Sequence, residues 1–346
     1  MCWLGGEEIK LEHKNKSIQL IRVIAMFMIV FDHIFCVIQF PMQSFIVQVT
    51  NSGVFIFLFI SGYLYGMKKI TNWKKWIKKR IIRICIPLWT FMVIDFILEA
   101  LVWGQFEIKY ALIYALNLQG FLGVNVGGTN LWFLTLIMMC YVITPALYRI
   151  KSQLKDTKYL YFVILILILL QLVLSYATNA GMVLNHTFSW CLIAILVYVL
   201  GYFKGNSIIM DEVGGGRLLI SIVISIVTGV IVIVMRHFYD GSIIYDRIII
   251  FYGLIIIDYT ICLVVCYLGN RMKKLIPLID FLDGISYEFY IVHGLIINML
   301  TKNIVKEYGV LLYIVITVFI SIVAAVGLNS MVKKVNKIAV CRLIKD

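Results

Sequence analysis

The feature that most constrains this chain is a series of apolar runs, each long enough to cross a lipid bilayer as a helix. A spanning helix needs roughly 20 predominantly apolar residues. Of the 346 residues, 62% are hydrophobic and 14% are charged, whereas soluble domains are about 25% charged. We therefore predict an all-α, polytopic transmembrane helical bundle and exclude an ordinary soluble enzyme. About ten spans are expected, at 18–38, 51–67, 81–103, 131–149, 159–176, 189–203, 217–235, 246–268, 285–301 and 310–332.

Ten helices use about 200 residues, so the loops are short and leave no room for a large soluble domain. We predict one integral membrane domain over 1–346, with a cytoplasmic N-terminal segment at 1–17 and a cytoplasmic tail at 333–346. The stretch 109–123 contains two glycines and an asparagine and is typical of a re-entrant or interfacial segment.

The distribution of positive charge predicts how the chain is oriented. The formal net charge is +13, and the loop 68–83 carries lysines and arginines with no acidic residue among them. Basic loops stay on the cytoplasmic side of a membrane, so this loop and both termini are predicted to be cytoplasmic, in a multi-pass protein of the plasma membrane. The same rule accounts for the charge without a nucleic-acid partner.

The pattern of cysteines and tryptophans predicts no chemical role for either. The eight cysteines show no Cys-x-x-Cys spacing, so they predict neither disulfides nor a metal site. Five tryptophans near span ends fit an interfacial aromatic belt: Trp73, Trp76, Trp103, Trp132 and Trp190.

Charged groups inside a bilayer are costly unless they face protein or water, which makes Arg22 and His33 of the first span informative. They are eleven positions apart, which is about 1,100° of helical rotation and a rise of about 16 Å, so both lie on one face. We predict that they open onto a common wet cavity. Taken singly, Arg22 is also typical of an interfacial cation and His33 of a hydrogen bond to a neighbouring helix.

Arg80 and Arg83 stand three residues apart at the cytoplasmic start of the third span. Two neighbouring guanidiniums suit a phosphate-bearing ligand, because each binds phosphate oxygens in a planar fork. The alternative is that they only anchor the cytoplasmic side of the helix.

Other polar residues fall within or next to predicted spans, and spacing does not choose among them. Any of five could line a polar cavity: Asp95, Glu99, Asp258, Glu288 and His293. Asn130, at the mouth of the fourth span, is typical of an interfacial hydrogen-bonding residue.

Five motifs, in order along the chain, resemble the acyltransferase-3 family of integral membrane O-acyltransferases. They are 17–26 followed by His33, Phe59-Ile60-Ser61-Gly62-Tyr63-Leu64, Lys79-Arg80-Ile81-Ile82-Arg83 with Pro87, Asn130-Leu131-Trp132-Phe133-Leu134, and 285–293, which ends in His293. Together they cover about 17 to 300 of the chain. The family's topology of roughly ten helices agrees with the prediction from loop charge, and the chain is similar to its stand-alone members.

The resemblance implies transfer of an acyl group, commonly acetyl, from a cytoplasmic acyl-CoA to a hydroxyl of a cell-envelope or exopolysaccharide carbohydrate or glycolipid. His33 and Arg22 match the family's essential pair, with His33 the candidate general base, and Arg80 and Arg83 match the residues assigned to the donor. No bound cofactor is implied beyond acyl-CoA as a substrate. Family members often carry an acid three residues before the first arginine, where this chain has Gln19.

A polytopic transporter or exporter of a small polar or lipid-linked sugar is the alternative, with the buried charges forming its pathway. Transporters tend to show repeated halves and helices broken at matching places, and this sequence shows neither.

Overall fold

The computed structural model describes residues 16–40, 43–103, 107–124, 131–153, 157–179, 186–204, 213–239, 242, 245–269 and 275–343. These residues form no strand. Their thirteen α-helices are α1 (Lys16–Val37), α2 (Gln43–Asn51), α3 (Gly53–Gly66), α4 (Trp73–Leu98), α5 (Ile108–Ala115), α6 (Gln119–Leu122), α7 (Trp132–Gln153), α8 (Thr157–Asn179), α9 (His186–Lys204), α10 (Gly215–Tyr239), α11 (Ile250–Gly269), α12 (Ile276–Tyr308) and α13 (Val310–Leu343). Short π-helical turns, Glu99–Trp103 and Tyr245–Ile249, follow α4 and precede α11.

Seven helical stretches in the described part of the chain are long and apolar enough to span a membrane, which indicates a multi-pass membrane protein. They are Lys16–Val37, Phe45–Gly66, Trp73–Leu101, Trp132–Gln153, Gly215–Tyr239, Ile250–Leu268 and Val310–Lys337. The helices α8, α9 and α12 are not among them, so the count of ten and the cytoplasmic termini stay predictions. The stretch 109–123 folds into α5 and α6, which at about 1.5 Å per residue are too short to cross a bilayer.

The two helices that carry the predicted histidines, α1 and α12, run parallel and in contact. The contacts between them advance along both helices in the same direction. The successive contacts are Lys16 with Asp280, Arg22 with Asp283, Phe27 with Phe289, and His33 with His293. Both predicted site residues of α1 therefore face the same neighbouring helix.

Helix α12 carries several charged and polar residues, and its burial explains why the structure tolerates them. It packs against α1, α4 and α13, and Phe289, Ile291 and His293 are fully buried. The inner part of α12 contacts protein and not lipid, so its side chains need not be apolar. By contrast, Val232 is the only buried residue of α10, a helix that is described over its whole length.

Glycines bring α3 and α9 to backbone contact. A Cβ atom added at Gly62 would lie 2.1 Å from the Tyr198 carbonyl oxygen, and one at Gly66 would lie 1.9 Å from that of Tyr202. Gly201 of α9 approaches α3 in the same way. The Gly62-x-x-x-Gly66 spacing puts both small residues on one face, which is how membrane helices pack most closely. The Ser-Gly-Tyr motif of the third helix is thus explained by packing.

Candidate active site

Two histidines from different helices, His33 of α1 and His293 of α12, lie within hydrogen-bond distance of each other. The Nε2 atom of His293 is 3.0 Å from Nδ1 of His33, and the two ring centroids are 4.9 Å apart. His293 is fully buried, whereas His33 remains partly exposed. The sequence pointed to both residues but did not indicate that they form a pair.

Backbone carbonyls fix the tautomer of each ring, because a carbonyl oxygen can only accept a hydrogen bond. Nδ1 of His293 lies 2.5 Å from the Tyr290 carbonyl oxygen, so Nδ1 donates and Nε2 is left as an acceptor. Nδ1 of His33 lies 2.9 Å from the Ile29 carbonyl oxygen and faces Nε2 of His293, so it also carries the hydrogen. The Nε2 lone pair of His33 is therefore left to accept a proton, and no described residue hydrogen-bonds it.

Arg22 is held by a carboxylate that comes from α12. Its Nη2 atom is 2.5 Å from Oδ2 of Asp283, and the same oxygen lies 3.4 Å from the side-chain amide of Gln19. Asp283 of α12 thus takes the place of the acid that family members often carry where this chain has Gln19. Gln19 is a second hydrogen-bond donor to the Asp283 carboxylate. Lys16 and Asp280 form a further ion pair nearer the start of both helices.

The prediction of a common wet cavity between Arg22 and His33 is wrong for this structure. Met26 and Ile29 lie on the same face of α1 between them and are 2% and 4% exposed. Beside them the rings of Phe27 and Phe289 are in contact, with centroids 5.7 Å apart. An apolar layer therefore separates the Arg22 ion pair from the histidines, because these large side chains fill the space that water would need.

Arg80 is held between aromatic rings. Its guanidinium carbon lies 5.0 Å from the ring centroid of Tyr65 and 5.6 Å from that of Trp76, a cation–π arrangement. Among the described residues it forms no hydrogen bond or ion pair, and its Nε atom is buried without a partner. The rings of Tyr65, Trp76 and Tyr141 also contact one another. We call these three residues, together with Arg80, the aromatic cage.

Arg83 is exposed and lies one turn farther along α4, within the electrostatic reach of Tyr141 and of Glu288 on α12. Glu288 also interacts with Asn329 and Lys333 of α13. The two arginines thus differ: Arg80 is enclosed by rings, whereas Arg83 faces outward beside an acidic neighbour.

Asp258 lies in a different part of the molecule. It lines a cavity of about 240 Å³ between α3, α9 and α11, whose walls are mostly apolar. Oδ1 of Asp258 is 2.7 Å from the Ser52 hydroxyl, and Oδ2 is buried without a hydrogen-bond partner. The structure therefore does not bring Asp258 to the two histidines.

Two further predictions concern Asp95 and Asn130. Asp95 is fully buried in α4, neither of its carboxyl oxygens has a hydrogen-bond partner among the described residues, and it interacts electrostatically with Glu99. Asn130 lies outside the described residues, as do the side chains of Trp103 and Trp190.

Asp283 and Trp76 are the residues of this site that sequence reasoning missed. Asp283 fell into the predicted loop between the spans 246–268 and 285–301, whereas α12 begins at Ile276. Trp76 was assigned to an interfacial belt, but it is 9% exposed and packs inside the protein. The i, i+4 spacing of Trp76 and Arg80 on one helix was the signal that could have linked them.

Comparison with known proteins gives one match. A family model described as an acyltransferase domain, Acyl_transf_3, matches residues 15–329, which is nearly the whole chain and includes α1, the aromatic cage and the histidine pair. No curated protein and no solved structure matched the chain. The chain therefore belongs to the acyltransferase-3 family, and it is a membrane acyltransferase.

Proposed function

We propose that this enzyme transfers an acyl group from a cytoplasmic acyl-CoA to a hydroxyl of a cell-envelope or exopolysaccharide carbohydrate, with acetyl-CoA as the first donor to test. The observation that carries the proposal is the histidine pair, in which one imidazole nitrogen is left as a proton acceptor. Membership of the acyltransferase family supports the reaction class. The acyl donor and the carbohydrate acceptor follow from the family resemblance.

His33 is the general base. Its Nε2 atom takes the proton of the acceptor hydroxyl while the hydroxyl oxygen attacks the thioester carbonyl carbon. The carbon–sulfur bond then breaks, and the CoA thiolate leaves with the proton that His33 returns. The ester stays on the carbohydrate.

His293 is a positioning residue that acts through His33. When Nε2 of His33 gains its proton, the imidazolium keeps donating from Nδ1 to Nε2 of His293 at 3.0 Å. A hydrogen bond from a charged donor is stronger than one from a neutral donor. The pair therefore stabilises the charge that develops during transfer, and it holds the proton on the correct nitrogen beforehand.

Arg80 and Arg83 bind the phosphates of the donor. Both lie on α4, which packs against α12 and α7, and the Tyr287 hydroxyl of α12 donates to the Ile84 carbonyl oxygen of α4 at 2.8 Å. The thioester extends from these arginines towards His33 past α12, the helix that contacts both α4 and α1. Arg22 fixes the register of α1 against α12 through Asp283 and so keeps the two histidines together.

The test combines one variant with one control. His33→Ala removes the proton acceptor and is expected to abolish transfer of radiolabelled acetyl from acetyl-CoA to envelope glycans in membranes. His237→Ala removes an exposed histidine at the end of α10 and is expected to leave transfer unchanged. Normal activity in His33→Ala, with both variants inserted at equal levels, would contradict the proposal.

A second measurement identifies the acceptor and separates the enzyme from a transporter. Mass spectrometry of envelope glycans, from cells with and without the intact gene, is expected to show loss of an acyl mass. Purified protein in vesicles should consume acyl-CoA. Sugar movement across the vesicle membrane without any consumption of acyl-CoA would favour transport instead.

A further inference from the structure

The aromatic cage contains two buried hydrogen-bond donors that nothing in the described protein satisfies. The Nε1 atom of Trp76 and the Nε atom of Arg80 are both removed from solvent, and neither has a hydrogen-bond partner. Leaving a buried donor unpaired is unfavourable, because the group loses its hydrogen bond to water and gains none in return. The two residues are neighbours, since the guanidinium carbon of Arg80 lies 5.6 Å from the Trp76 ring centroid, and two such donors mark a place where a ligand supplies the acceptor.

An interfacial belt does not account for Trp76. In a belt the ring lies among lipid headgroups and its N–H meets water or a headgroup. Here the ring is 9% exposed and makes edge contacts with Tyr65, Trp73 and Tyr141. The indole N–H therefore points into protein at a position where a purely apolar ring would fill the same space.

The geometry and charge of the cage select the class of ligand. Trp76 and Arg80 are four residues apart on α4, so their donors lie on one helix face. Every unpaired group is a donor, one of them is cationic, and in the described residues no carboxylate pairs with Arg80. An acceptor with several oxygens and negative charge fits this set, and a phosphoryl group is such an acceptor.

We propose that Trp76 Nε1–H and Arg80 Nε–H together bind one phosphoryl group of coenzyme A, with the Tyr65 and Trp76 rings holding the guanidinium in place. This inference rests on the proposed function, since it names a contact of the same acyl donor. Trp76 is therefore a donor-binding residue in addition to the two arginines.

The test compares binding of coenzyme A by Trp76→Phe and Trp73→Phe in purified protein, measured by isothermal titration calorimetry. Trp76→Phe keeps a ring but removes the N–H, so we expect the dissociation constant to rise about threefold to tenfold, as the loss of one hydrogen bond implies. Trp73→Phe alters a neighbouring ring of the same cluster and is expected to bind like the parent protein. Pantetheine, which lacks phosphate, should bind Trp76→Phe and the parent protein equally.

Equal affinity of Trp76→Phe and the parent protein for coenzyme A would overturn the inference, and so would a matching loss for pantetheine. If the parent protein itself fails to bind coenzyme A, the proposed function fails instead. Should Trp76→Phe not fold, the indole ¹⁵N–H resonance of Trp76, assigned by elimination among the seven tryptophans, gives a second measurement in the parent protein. It is expected to shift when coenzyme A is added, and no shift would also overturn the inference.

Discussion

At the scale of single residues, the arrangement of two imidazoles and two carbonyl oxygens determines which nitrogen can accept a proton. His293→Leu removes one of the two acceptors that face Nδ1 of His33 and leaves only the Ile29 carbonyl oxygen, so the ring is held less firmly and its protonated form is less well stabilised. We expect kcat to fall about 10- to 100-fold with little change in KM for acyl-CoA. His293→Gln keeps an acceptor oxygen on a side chain of similar reach and should retain more activity than His293→Leu. Equal losses in both variants, measured as initial rates, would argue against a positioning role.

The ion pair between Arg22 and Asp283 gives a second prediction at this scale. Gln19→Glu would put another carboxylate near the Asp283 oxygen that now accepts from Gln19 at 3.4 Å. Like charges at that distance repel, so thermal stability and activity are expected to fall. The double variant Gln19→Glu with Asp283→Asn moves the acid from α12 to α1 and should recover most of the loss. A coupling energy of about 1 kcal/mol or more in the double-mutant cycle is expected, and strict additivity would contradict it.

The site also shows what residue spacing can and cannot reveal. Helical periodicity correctly put Arg22 and His33 towards the same neighbour, because the angle between residues depends only on the chain itself. It did not reveal Asp283 or the pairing with His293, which depend on how α12 packs. The apolar layer was readable in part, since Met26 and Ile29 fall on the same face of α1 and are too large and apolar to line water. Whether a partner helix fills the remaining space is decided only by tertiary packing.

At the scale of helices, the close contact of α3 and α9 predicts a strong effect from a single methyl group. In Gly62→Ala the new Cβ would meet the Tyr198 carbonyl oxygen at 2.1 Å, and a backbone atom cannot swing away. We expect a lower melting temperature in detergent and reduced activity, because the two helices must move apart. Gly229→Ala on α10 is the matched control, since nothing lies within 4 Å of its Cβ position. A melting temperature for Gly62→Ala as high as that of Gly229→Ala would show that the contact is not required.

The bounds of helices that face lipid were predicted accurately, and those of a helix that is buried in protein were predicted less accurately. The predicted spans 18–38 and 217–235 match α1 and α10 closely, since apolar residues predominate along both. The span predicted at 285–301 became the 33-residue helix α12, which begins nine residues earlier. Its first turns carry Asp280 and Asp283, whose charges are paired with α1 and so do not end the helix. A hydropathy profile does not detect such ion pairs, so the start of α12 was predicted as a loop.

At the scale of the whole molecule, the basic loops predict that successive spans cross the membrane in alternating directions. The start of α1 then lies in the cytoplasm and its end lies outside. The donor sites Arg80 and Arg83 would then be cytoplasmic, and the end of α1 beyond His33 would approach the opposite face, where an envelope carbohydrate is found. The histidine pair would stand between the two, on a helix pair that runs from one face towards the other. Acyl transfer across the bilayer requires this orientation.

Cys36 allows the orientation to be measured with a natural thiol, because it is exposed near the end of α1, whereas Cys85, Cys140, Cys262 and Cys266 are buried. A membrane-impermeant maleimide added to intact cells is expected to label the parent protein and to label Cys36→Ser less. In the Cys36→Ser background, Lys79→Cys, on the exposed part of α4, should be labelled only after the membrane is made permeable. The reverse pattern would place the basic loop outside the cell. A cytoplasmic acyl-CoA could then not reach Arg80 and Arg83, and the direction of transfer would have to be inverted.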